Sequence, residues 1–279
     1  MRCISNEKIT MFETFLVEEE KANATIEKYV RDVTCFSEWL LDKEVTKTEV
    51  VRYKHYLTEN YAPASVNSVI SSLNHFFSFL EWYDLKIKAL KIQRRLFASE
   101  EKELTKAEYQ KLISAAKEKN NERLSLIMQT ICSTGIRVSE LKYVTVSSIK
   151  TGRTEIRSKG KCRCIILSKE LCKILKAYAR ERKISSGPIF ITKNGKPLDR
   201  SNIWSDMKKL CASAGVSQSK VFPHNLRHLF ARTFYSMQKD VVRLADILGH
   251  SNVNTTRIYT MQSCIVHQKQ LQRLGLLRC

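Results

Sequence analysis

Four short stretches of the chain carry side chains that could do chemistry as well as fill a core. TGIRVSEL, residues 134–141, contains Arg137 and Glu140. IRSKGKCR, residues 156–163, contains Lys159 and Lys161. PHNLRHLF, residues 223–230, contains His224 and Arg227, and LGHSNVNTTRIYT, residues 248–260, contains His250 and Tyr259. Guanidinium groups grip phosphate oxygens in pairs. Imidazole and ammonium groups carry protons, and a phenol is an oxygen nucleophile that can hold a transferred group covalently. Each stretch also has an ordinary explanation. Arg137 could pair with a carboxylate, and a lysine in a hairpin turn is commonly just solvated. His224 and Arg227, at i and i+3 on one helix face, could form a structural pair or a cap. Tyr259 could be a half-buried core tyrosine. Against that last reading stands the polar run before it, anchored by Leu248 and Ile258, which suits a tyrosine that is delivered to a partner.

The elements that must position these groups can be read from hydrophobic spacing. Residues 1–85 read as helices only. A first helix falls near 5–20, and ATIEKYVRDVTCFSEWLLDK sets Ile26, Tyr29, Val30, Val33, Phe36, Trp39 and Leu40 at helical spacing. Thr46 or Thr48 can cap a helix with Val50, Tyr53 and Leu57 on its inner face. Pro63 suits the first turn of a helix carrying Val66, Val69, Ile70, Leu73, Phe76, Phe77 and Leu80. These make a bundle of about four helices. The texture then changes over residues 86–103, where Lys86, Lys88, Lys91, Arg94 and Arg95 follow no clean stripe. This is a basic linker, either a solvated loop or a strap across a phosphate backbone.

Residues 104–279 form the second domain. Thr105 and Glu108 make a capping box, and helix continues to about residue 141. TEIRSKGKCRCIIL predicts two short strands around a Lys-Gly turn. A helix with Leu171, Ile174, Leu175 and Tyr178 on one face follows, then PIFITKNGKPL, a second hairpin turned at Asn194-Gly195. From Ser201 the chain is helical, interrupted near Gly215 and Pro223. The tail, 260–279, places Ile265, Val266, Leu271, Leu274, Leu276 and Leu277 in a short apolar segment that packs either on its own domain or on a neighbour.

Composition narrows the function classes. Lys and Arg number 48 against 28 acids, a formal charge of +20. A field of that size attracts polyanions, and nucleic acid is the expected partner. The nine cysteines are scattered, and Cys162 and Cys164 have no second pair to complete a zinc set. Reduced thiols in a cytoplasm, no metal and no cofactor are therefore expected. MRCISNEKITMF lacks the apolar core of a signal peptide, and no run approaches the roughly 18 apolar residues of a membrane span. The acids are dispersed among lysines on helix faces, unlike the clustered carboxylates of a metal-dependent integrase or nuclease.

Taken together and in order, Arg137, Lys159, His224, Arg227, His250 and Tyr259 resemble the active-site pattern of the tyrosine recombinases, the phage-integrase and Xer-like family. TGIRVSEL is similar to that family's Thr-Gly-x-Arg-x-Ser-Glu-Leu box, HNLRHLFA to its His-x-Leu-Arg-His box and LGHSNVNTTRIYT to its Leu-Gly-His…Thr-x-x-Tyr box. TIEKYVRDVTCFSEWL resembles its core-binding helix. The hairpin departs from the pattern. The family reads Gly-Lys-Gly, a spacer, then Lys or Arg, whereas Ser158-Lys159-Gly160-Lys161 has no spacer, so Lys159 is the preferred lysine and Lys161 the alternative.

The resemblance implies a mainly α fold with small β hairpins. An N-terminal helical, SAM-like core-binding domain and an α+β catalytic domain would form a C-shaped clamp on DNA. It implies a metal-independent strand transferase in which Tyr259 is the nucleophile and leaves a 3′-phosphotyrosyl intermediate. Arg137 and Arg227 would hold the non-bridging oxygens, and the lysine would protonate the leaving 5′-hydroxyl. His224 would assist the nucleophile's proton, and His250 would hydrogen-bond a phosphate oxygen. Glu140 would orient an arginine. The substrate would be a double-stranded recombination site, bound also by the linker's basic residues and Lys161. The protein would be a monomer or dimer when free and a tetramer, joined by the tail, in the synaptic complex. Integration, excision or resolution for a mobile element fits this reading. A catalytically silent DNA-binding regulator and a type IB topoisomerase are the alternatives, and the six filled positions, the bundle and the tail weigh against them.

Overall fold

The computed structural model describes residues 2–41, 43–92, 102–158, 161–192 and 194–259, with the backbone alone for Arg157, Ser158 and Lys161. Contacts divide the chain into two units, residues 1–94 and 95–279.

The first unit is built from α1 (Asn6–Glu18), α2 (Asn23–Leu40), α3 (Lys47–Asn60) and α4 (Pro63–Phe79). Ser5 and Thr46 cap α1 and α3 by accepting the amides of Lys8 and Glu49, and Pro63 opens α4. Phe12, Leu16, Val33, Phe36, Leu73, Phe76 and Phe77 are fully buried together. Burying each of these large apolar side chains is worth about 1.5–3 kcal/mol.

The chain past α4 is fixed to this bundle. Asn74 donates through Nδ2 to the Ile87 carbonyl at 2.8 Å and accepts the Ile87 amide at 2.9 Å. Asn67 does the same to Leu90, at 2.9 and 2.7 Å. The spacings match: seven residues of helix and three of extended chain both span about 10 Å. From α3, Lys54 donates to the Lys88 carbonyl at 2.7 Å, and Lys47 donates to the carbonyls of Asp84 and Lys86. Ile87 is thereby buried, while Lys86, Lys88 and Lys91 face solvent.

The second unit contains α5 (Lys106–Glu118), α6 (Glu122–Thr134), α7 (Val146–Thr151), α8 (Lys169–Glu181), α9 (Arg200–Ala214), α10 (Pro223–Gln238), α11 (Val241–Leu248) and α12 (Val253–Thr256). Between α7 and α8, β1 (Arg153–Ser158) and β2 (Lys161–Ile166) pair antiparallel, with Ile156 opposite Arg163 and Ser158 opposite Lys161. Period-two alternation turns Arg163, Ile165 and Leu167 inward and Cys162, Cys164 and Ile166 outward. The capping box of Thr105 and Glu108 is present, starting α5.

Two local expectations are corrected. Helix does not continue to residue 141. It ends at Thr134, and a 3₁₀ turn covers Val138–Tyr143, because Gly135 caps α6 in the left-handed region. PIFITKNGKPL does turn at Asn194-Gly195, but among the described residues its arms meet only in the isolated antiparallel bridge Ile191–Pro197 and form no strands, because prolines at 188 and 197 remove ladder donors at both ends. Among the described residues no helix is long and apolar enough to cross a membrane.

Candidate active site

The site begins where α6 stops. Gly135 has φ +66°, and a Cβ there would lie 2.4 Å from the Phe230 ring, so only glycine lets α10 approach this closely. Its carbonyl accepts Arg227 Nη1 at 2.5 Å. Arg137 follows in extended geometry as the cap of the 3₁₀ turn. Its amide donates to Glu140 Oε2 at 2.6 Å and its Nη1 to Oε1 at 3.0 Å. The Glu140 carboxylate is buried and also receives Arg163 Nη2 at 2.5 Å. One carboxylate thus orients two guanidiniums, the charge-assisted pairing that gives planar specificity. Arg137 keeps 44 % of its side chain exposed and lines two adjoining clefts. One also holds Arg200, Trp204, His224 and Arg227, and the other Cys162, Arg163, Gly249 and His250.

Arg227, on α10, is 1 % exposed and spans the floor. Besides the Gly135 carbonyl it donates from Nη2 to the Leu248 carbonyl at 2.7 Å and to His250 Nε2 at 3.1 Å. Burial, and then the charge of Arg137, lower its pKa to about 10, which still leaves it charged at neutral pH. Arg163 crosses from β2 to the end of α11, donating from Nη1 to the Ile247 carbonyl at 3.0 Å. It passes over Gly249, φ +64°, where a Cβ would lie 2.5 Å from Arg163 Cδ.

The aromatic groups form a chain of rings. His224, open to solvent at the rim, meets His228 edge-on with centroids 4.7 Å apart. His228 meets Tyr259 edge-on at 4.7 Å, and His250 lies nearly parallel to Tyr259 at 6.0 Å. Burial, and then neighbouring positive charge, push His228 and His250 down to about 4, so both rings are neutral at pH 7. His224 is lowered as well, by partial burial and then by Arg227, Arg137 and Arg200.

Tyr259 itself is 3 % exposed, packed with Ala231, Leu244 and Leu248 and flanked by Phe230, Phe234 and Tyr235. The expectation of a tyrosine free of any core is therefore corrected. The polar residues before it satisfy one another locally: Asn252 caps α12, and Thr256 is fully buried against His250. The ring is left to close a small apolar cluster.

Arg137, Glu140, His224, Arg227, His250 and Tyr259 thus come together from the 3₁₀ turn after α6, from α10, from the α11–α12 connection and from the 3₁₀ turn Arg257–Tyr259 after α12. Lys159, Arg94, Arg95 and the tail lie outside the described residues, as does the Lys161 side chain. Lys86, Lys88 and Lys91 belong to the first unit. Sequence reading missed Arg163, His228 and Thr256. Arg163 was legible as an inward position of β2, and His228 as i+4 from His224. Among the described residues no cluster of three or more His, Cys, Asp or Glu could hold a metal ion.

Comparison with known proteins yields matches along most of the chain. The model of the phage integrase family matches residues 102–264, and that of the phage integrase N-terminal SAM-like domain matches residues 9–83. Tyrosine recombinase XerA of Thermococcus kodakarensis is 31% identical over 265 residues, covering 91% of this chain and 90% of the relative. Tyrosine recombinase XerD of Vibrio cholerae is 25% identical over 268 residues, 89% of each chain. Among solved structures, a XerA recombinase aligns with a TM-score of 0.54 and 28% identity, covering 98% of this chain and 99% of the other. A lambda integrase dimer bound to a COC′ core site aligns at TM-score 0.73 over 91% and 94% of the two chains; at 19% identity it is a likeness of fold.

Proposed function

The chain belongs to the phage integrase family of tyrosine recombinases, and from that premise we propose a site-specific DNA recombinase whose nucleophile is Tyr259. The observation that carries the reading is that two arginines and two imidazoles, Arg137, Arg227, His224 and His250, line two adjoining clefts, with the His228 and Tyr259 rings packed against His224 and His250.

In the proposed reaction the Tyr259 Oη attacks a backbone phosphorus. The P–Oη bond forms and the P–O5′ bond breaks, leaving a 3′-phosphotyrosyl ester and a free 5′-hydroxyl. The incoming strand's 5′-hydroxyl reverses the step, so no bond energy is lost. Arg137 and Arg227 neutralise the non-bridging oxygens of the crowded five-coordinate state. Their geometry is set beforehand by Glu140 and by the Gly135 and Leu248 carbonyls, so little reorganisation is needed at the moment of reaction. His250 supplies a further hydrogen bond to phosphate. His224 assists removal of the phenol's proton, and the hairpin lysine, Lys159 or else Lys161, protonates O5′. The buried position of Tyr259 makes its release from the Leu244–Leu248 cluster a step of the cycle, and an unreleased ring keeps a subunit silent.

The substrate is a duplex recombination site. The core-binding unit, assigned to residues 1–85, and the catalytic unit, 104–279, each contact it, with the basic segment 86–103 between them in the chain. Lys86, Lys88, Lys91, Arg94, Arg95 and Lys161 contact phosphates. Four copies assemble on paired sites through the tail, 260–279, and the protein works in the cytoplasm on a mobile element. The test is a nicked suicide duplex built on a site selected from random-sequence DNA by this protein. Covalent protein–DNA adducts that form in EDTA and vanish in Tyr259→Phe support the proposal, and adducts that persist in that variant overturn the nucleophile assignment.

A further inference from the structure

The hydrogen bonds of His250 define which of its nitrogens carries the proton. Arg227 Nη2 lies 3.1 Å from His250 Nε2, and a guanidinium has only donors, so Nε2 must present its lone pair. The proton of the neutral ring is therefore on Nδ1, where it is donated to Thr256 Oγ1 at 2.8 Å. In this arrangement His250 has nothing to offer a phosphate oxygen. An anion drawn to Arg227 would meet the Nε2 lone pair and be repelled.

For His250 to serve phosphate as proposed above, Nε2 must gain a proton and Nδ1 must become an acceptor. The group facing Nδ1 must then donate where it previously accepted. A carboxylate in that place only accepts, and an ammonium only donates. A hydroxyl does either by rotating about its C–O bond. Thr256 is fully buried, so water does not substitute for it. We propose that the Thr256 hydroxyl is the positioning group that lets His250 exchange tautomers as a phosphate enters the site.

The proton count is unchanged: the half-buried His250 ring swings briefly off Thr256 into the cleft that it lines, where water takes the Nδ1 proton and supplies one at Nε2, and on its return Thr256 Oγ turns from accepting to donating. The competing route, full protonation of the ring, would place a positive charge among Arg227, Arg137, Arg163 and His224, which the depressed pKa of His250 already disfavours.

The inference rests on the reading of His250 as a phosphate donor, and its test separates the two. Imidazole ¹⁵N NMR of the Tyr259→Phe chain, free and with the selected duplex, reports the tautomer directly. The free protein is expected in the Nδ1–H form and the complex in the Nε2–H form. Thr256→Val, which keeps the volume, should fail to convert and cleave about tenfold more slowly, the loss expected for one buried hydrogen bond, while duplex affinity falls by no more than about threefold because most phosphate contacts lie elsewhere. Thr256→Ser should convert and cleave within about twofold of the parent chain. A complex that keeps Nδ1–H, a doubly protonated ring, or a Ser variant as slow as the Val variant overturns the inference. If Thr256→Val does not fold, the parent tautomers and the Ser variant still decide. Absence of any covalent adduct with the parent chain would instead defeat the reading beneath it.

Discussion

Glu140 and Arg227 hold the site's charges by opposite means. Glu140 is a buried carboxylate compensated by Arg137 and Arg163, while Arg227 is a buried guanidinium held by two carbonyls and one imidazole. Glu140→Gln removes a charge that two cations share and should destabilise the catalytic unit by about 3 kcal/mol in urea denaturation. Arg227→Lys keeps the charge but cannot reach three acceptors from one fork, so cleavage should fall at least about a hundredfold while duplex binding is largely kept. The neutral histidines predict a pH dependence. His228 and His250 have folded pKa values depressed from 6.5 to about 4, so the unfolded chain binds more protons between those values. Their contribution to stability is therefore complete above about pH 6.5 and is lost as pH falls towards 4. A Tm that drops over that range, and drops less in His228→Gln, is the expected outcome in thermal melts. At this scale the sequence displayed Arg137, His224, Arg227, His250 and Tyr259 through flanking motifs. It hid Arg163 and Thr256, whose roles depend on which way a strand faces and on a bond six residues away.

Helices with a regular apolar stripe were the most legible elements. α2 and α4 follow the spacing of Val33, Phe36, Phe76 and Phe77 closely. The β1–β2 pairing was legible too, because alternating residues flank a Lys-Gly pair in the sequence. The segment at 86–91 had no periodic signal, since its place is set by side-chain-to-backbone bonds from Asn67 and Asn74 rather than by its own pattern. Asn74→Ala would leave the Ile87 amide and carbonyl without partners at a partly buried site. It should cost about 1–3 kcal/mol and expose the amides of residues 87–90 to hydrogen exchange, whereas exchange in α10 stays unchanged. Tyr259 misled in the other direction. A polar sequence suggested exposure, but Asn252 and Thr256 spend their hydrogen bonds within the segment and free the ring to bury.

Across the whole chain, the net charge of +20 is the property that composition alone made plain. If most of the affinity for the selected duplex comes from phosphates, binding should weaken steeply between about 50 and 200 mM salt. Charge reversal at the solvent-facing Lys86, Lys88 and Lys91 should flatten that slope without changing the preferred sequence, as measured by filter binding. The most direct test of the central claim is mass spectrometry of the adduct trapped on the nicked suicide duplex. After nuclease and protease digestion, the account predicts a single nucleotide-bearing peptide that spans residue 259, with the 3′-phosphate esterified to the Tyr259 oxygen. Attachment at any other side chain, or cleaved DNA with no protein bound, would contradict it.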